Sequence, residues 1–164
     1  MNRLYKQMMG NLLSSVDITE EMANHALVTT TKTSLEHRLT DNIFRFWFVG
    51  IRSLNEIHSR QAEAITKDNH IDCLAYSALL TTAAQVPLSI SIVSELASSQ
   101  MTLKLADGLI HGGYGWWNPS VCSIQQLIDM RNASFIHRNN IDVLNFTAMI
   151  AARKSVESSH LAIQ

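Results

Sequence analysis

The sequence predicts an all-α fold: a long amphipathic helical hairpin with flanking shorter helices, arranged as a bundle or an oligomer. Three observations predict it. Apolar residues recur at steps of three and four over most of the 164 residues. Hydroxyl or acidic residues able to cap helices stand before several of these runs. The strongest breaks are Pro87 and the glycines around 112–115, where a chain of helices would turn.

From the N-terminus, Leu4, Tyr5, Met8, Met9, Leu12, Leu13 and Val16 form one stripe over residues 3–16, a short helix weakened by Gly10 that docks on the body of the protein. Asp17 to Glu21 reads as a cap followed by acidic first-turn residues, starting a second helix expected to reach about Leu27. The β-branched run Val28-Thr29-Thr30-Thr31-Lys32-Thr33 fits a strand, a loop or a tolerated helix, and residues 28–40 stay open. From Asp41, Phe44, Trp47, Phe48, Ile51, Leu54, Ile57, Ala62 and Ile65 follow at helical spacing. The pattern resumes after residues 66–70 with Ile71, Leu74, Ala78 and Leu79; an unbroken helix here would reach about 60 Å.

Pro87 stops or bends this helix near Gln85, and a second helix of about 20 residues folds back with Ile92, Val93, Leu96, Leu103, Ala106 and Ile110 as its stripe. Ser123 and Gln126 form a capping box for a further helix, and Ile141, Leu144, Phe146, Met149 and Ile150 mark another. The last dozen residues are polar and expected to fray. The organisation is therefore an N-terminal helical segment (1–40), a hairpin (41–111), a Gly/Trp-rich connector (112–122) and a C-terminal helical segment (123–164).

With 46% hydrophobic residues the chain can bury a core as one domain. Its 13 basic and 14 acidic residues leave a net charge of -1, so no broad field draws it to nucleic acid, and none is expected as a partner. Only 16% of residues are charged, against roughly 25% in an average domain; such a surface suits association, and a homo-oligomer is expected. Cys73 and Cys122 lack CxxC spacing and have apolar neighbours, which predicts buried free thiols and a cytoplasmic setting. No export signal is read at the N-terminus. Residues 73–94 carry no charge but are interrupted by Ser, Thr, Gln and Pro87, so a membrane span is not expected.

The seven histidines are scattered, and Glu157 with His160 gives a single Glu-x-x-His step where a di-metal bundle needs two. His58 reads as a boundary residue bonded to a neighbouring helix. No nucleophile elbow, phosphate loop or His-Glu-x-x-His occurs, so neither enzyme chemistry nor a metal or cofactor is expected. Trp116 and Trp117 are the best local pointer to a contact site, because two adjacent indoles cannot both turn inward from a helix.

Residues 41–111 resemble the phasins, which coat polyhydroxyalkanoate granules. The resemblance rests on Phe48-Val49-Gly50-Ile51-Arg52-Ser53-Leu54-Asn55-Glu56-Ile57 and Ser59 to Ala64 as the first long helix, and on Val86-Pro87-Leu88 and Ser94 to Met101 as turn and second helix. It implies a non-catalytic coat whose face of Phe44, Trp47, Phe48, Ile51, Leu54 and Ile65 lies on the granule or packs in an oligomer, gaining about 25 cal/mol per Å² buried. The other reading is a helical adaptor, secretion-associated protein or self-assembly protein that binds a protein partner.

Overall fold

The computed structural model describes residues 2–41, 53–82, 90–113 and 115–160, and among them the fold is all-α. Seven helices are described: α1 (Asn2–Leu13), α2 (Glu20–Leu39), α3 (Leu54–Thr66), α4 (His70–Thr82), α5 (Ile90–Ile110), α6 (Ile124–Ile136) and α7 (Asn140–His160). Phe44, Trp47, Phe48 and Ile51, together with the turn at Pro87, lie outside the described residues.

Local chemistry sets the helix starts. Thr19 Oγ1 accepts the Met22 N–H ahead of Glu20 and Glu21, and Ser53 accepts the Glu56 N–H at α3. At α6 the expected capping box is complete, with Gln126 N–H on Ser123 Oγ and Ser123 N–H on Gln126 Oε1. Helix α1 buries Tyr5, Met8, Met9 and Leu12 as its stripe requires, but ends at Leu13 and leaves Val16 exposed.

Tertiary packing overrides local preference in four places. Helix α2 runs past Leu27 through the threonine run to Leu39, because Leu27, Thr31, Ser34 and Leu35 all face inward. Tyr5 and Thr31 share a 2.7 Å hydrogen bond, and the Thr33 and Ser34 hydroxyls turn back onto carbonyls one turn earlier. The apolar pattern on both sides of residues 66–70 belongs to two helices, α3 and α4, that pack on each other; Asp68 takes a left-handed φ of 53° between them. In α5 the buried line is Val93, Ala97, Met101 and Leu105, so Leu103 and Ile110 of the expected stripe face outward. Finally, α7 continues to His160, with Arg153 and Ser155 buried in the stretch expected to fray.

The described chain repeats itself. Helices α2, α3 and α4 return seventy positions later as α5, α6 and α7, starting at Glu20 and Ile90, Leu54 and Ile124, and His70 and Asn140. Ser53 and Ser123 are equivalent caps, and the left-handed residues Asp68 and Arg138 are equivalent turns. Asn69 bonds Asp72 as Asn139 bonds Asp142, through both side chain and backbone. Inside, Leu35 matches Leu105, Leu74 matches Leu144 and Ala78 matches Ala148. Equivalent helices meet across the middle, α2 on α5 and α4 on α7, as in an isologous pair built into one chain. Helix α1 caps this arrangement by packing on α7 and α2.

Candidate functional site

The connector between α5 and α6 builds the site. Gly112 and Gly115 hold φ values of +82° and +80°, a region that only glycine enters without steric cost. A Cβ on Gly115 would stand 2.6 Å from Val121 Cγ1, so the turn needs glycine for space as well as for conformation. The Gly115 N–H donates to Glu20 Oε2 at 2.9 Å, tying the connector to the start of α2.

This turn drives Trp116 into the interior, where it is only 4% exposed. Its indole N–H donates to Asn24 Oδ1 at 3.0 Å. The buried Arg153 donates through Nη1 to the carbonyls of Trp116 and Cys122, at 2.8 and 2.7 Å. Burial away from water holds the Arg153 guanidinium below its usual pKa, with Glu157 nearby opposing that effect. Trp117 packs edge-on against Trp116, with ring centroids 6.0 Å apart, and is half-buried.

Beside Trp116 lies a cavity of about 280 Å³ between α2, α5, the connector, α6 and α7. Leu105, Leu127, Phe146 and Met149 supply apolar wall, and Met130 stands 40% exposed. Polar groups are few: Glu20, Asn24, Lys104, Asp142 and Asn145. Burial raises the carboxyl pKa of Glu20 against the Gly115 N–H, and raises that of Asp142 against Lys104, 3.7 Å away. Asn145 is buried, and its Oδ1 has no hydrogen-bond partner among the described residues. A largely apolar chamber lined by a few hydrogen-bond acceptors is suited to hold an apolar group that ends in hydrogen-bond donors.

The structure brings only part of the expected contact set here. Trp116 is a wall of the cavity, and Trp117 meets its ring edge-on. Leu54 opens α3 at 54% exposure, while Ile65 packs against the core. Among the cysteines, Cys73 is buried as expected; Cys122 is half-buried and lines the cavity, and both are free. No helix among the described residues is long and apolar enough to cross a membrane. The residues missed at sequence level are Asn24, Lys104, Asp142, Asn145 and Arg153. One available signal was the pair Asn69-His70-Ile71-Asp72 and Asn139-Asn140-Ile141-Asp142, which marks equivalent positions and singles out Asp142. No protein-family model, curated protein or solved structure matches this chain.

Proposed function

We propose that the chain is a non-catalytic helical interaction protein that receives a group of its partner in the cavity beside Trp116. The observation that carries this reading is a preformed apolar chamber whose wall is held at three points: the indole on Asn24, and two carbonyls on Arg153. Preorganisation of this kind lowers the ordering cost of binding. The cytoplasm is the setting in which its free thiols persist.

The test is expression of the tagged chain in polyester-accumulating cells, followed by granule isolation and size-exclusion chromatography. A discrete complex larger than the 18.4 kDa chain, lost in Met130→Glu at the cavity, supports the reading. Recovery in the granule fraction instead supports the second reading, a phasin-like coat of polyhydroxyalkanoate granules, and a complex containing this chain alone supports a homo-oligomer. Exposed Leu54, next to the aromatic run, favours that second reading; Ile57, Ala64 and Ile65, turned into the core, favour the first.

A further inference from the structure

The two repeats diverge where the cavity lies. In the first, Arg38 in the last turn of α2 lays its guanidinium on Asp72, with Nε and Nη2 each 2.6 Å from Oδ1. Asp142 is the equivalent of Asp72 and keeps the same local brace, since Asn139 Nδ2 donates to its Oδ2 at 2.6 Å. The equivalent of Arg38, however, is Gly108. A Cβ placed on Gly108 would meet nothing within 4 Å, and Gly108 and Asp142 both line the cavity. The chamber therefore occupies the place that a guanidinium side chain takes in the sister repeat.

Two further changes point the same way. Ala75, fully buried in the first repeat, becomes Asn145 in the second, a 3% exposed residue of the cavity lining whose buried Oδ1 has no hydrogen-bond partner among the described residues. Glu20 adds a second carboxylate from α2. Among the described lining residues Lys104 is the one cation; it stands 3.7 Å from Asp142 Oδ2 on a side chain 40% exposed, so it can turn toward water. The cavity volume of about 280 Å³ is just under the roughly 300–1,000 Å³ of sites for drug-sized ligands, and fits a group the size of a side chain.

We propose that this cavity binds a guanidinium group on a short apolar stem, seated on Asp142 and Asn145 as Arg38 is seated on Asp72, with the stem against Trp116, Leu127 and Phe146. This rests on the reading of the cavity as a binding site and names the chemistry it accepts. The full chain is titrated with n-butylguanidine and with its neutral isostere n-butylurea, read by calorimetry and by amide shifts in NMR. Saturable binding of the guanidine, at least about tenfold weaker for the urea, is expected from loss of a charge-assisted hydrogen bond. Asp142→Asn should weaken guanidine binding about tenfold or more, and Lys104→Ala should strengthen it. Gly108→Arg should refill the chamber, raise the thermal midpoint and abolish binding.

Equal binding of guanidine and urea, or no guanidine binding by the wild type, overturns the proposal; so does undiminished binding by Asp142→Asn. A Gly-Arg-Gly peptide distinguishes the source. Binding of both peptide and free guanidine assigns the site to a partner's arginine, and binding of the free guanidine alone assigns it to a small molecule. A chain that binds no guanidine yet still forms the complex sensitive to Met130→Glu loses this inference and keeps the broader reading.

Discussion

Gly115→Ala offers a worked measure of how tightly the connector is built. Two costs act at this position. The first is a left-handed backbone at φ +80°, which charges an L-residue about 1–2 kcal/mol. The second is the new methyl, 2.6 Å from Val121 Cγ1 and 3.0 Å from Cβ, an overpacking worth about 1–3 kcal/mol. Against them, alanine restricts the unfolded chain and returns about 0.4–1 kcal/mol. The net expectation is a loss of about 1–5 kcal/mol. Gly112→Ala isolates the first cost, because its φ is +82° but its Cβ would meet nothing within 4 Å. Val121→Ala isolates the second, since Val121 is half-exposed and trimming it makes room. Urea unfolding followed by circular dichroism gives all four free energies. Gly115→Ala should lose more than Gly112→Ala, and Val121→Ala should restore most of the difference in the double variant. Equal losses at the two glycines, or no coupling to Val121, would refute the steric account of the turn.

Three other outcomes are expected. Arg153→Leu strands two carbonyls that now share one guanidinium nitrogen, and should cost about 2–5 kcal/mol in urea unfolding while loosening the Trp116 indole, seen as a fluorescence red shift; unchanged stability counts against Arg153 as the clamp. Burial holds the His70 pKa below its usual value, with Lys154 and Arg131 adding to this and Asp68 opposing it. The unfolded chain then takes up the proton first, so stability is present above about pH 6.5 and drains as pH falls below it. Replacing His70 with asparagine, the residue at the equivalent Asn140, should flatten that part of the profile relative to the wild type, and a parallel profile would remove His70 as the source. Ser53→Ala and Ser123→Ala should each lose about 1 kcal/mol, with the larger loss at Ser123, where the capping box is reciprocal; a thermal midpoint unmoved in both would contradict the caps.

Signals that act within a few residues were legible in the sequence by itself. The all-α class, a cap within residues 17–19 and the capping box at Ser123, the Tyr5, Met8, Met9 and Leu12 part of the α1 stripe and the break at the glycine connector each follow from contacts between near neighbours. Partners distant in sequence decided the rest. The threonine run of α2 became helical because Tyr5 and the core receive its inner face, and Arg153 left the expected frayed end because the connector carbonyls needed a donor. The reversal at Asp68 has no strong local mark, since a charged residue in a left-handed turn looks like any polar linker; only its recurrence at Arg138 makes it a rule. The repeat itself is thin in sequence, because helical packing asks for apolar volume in register and tolerates wide changes of identity. Superposing the halves turns Gly108 from an ordinary helix-end glycine into the absent counterpart of Arg38, a comparison that requires both helices in place.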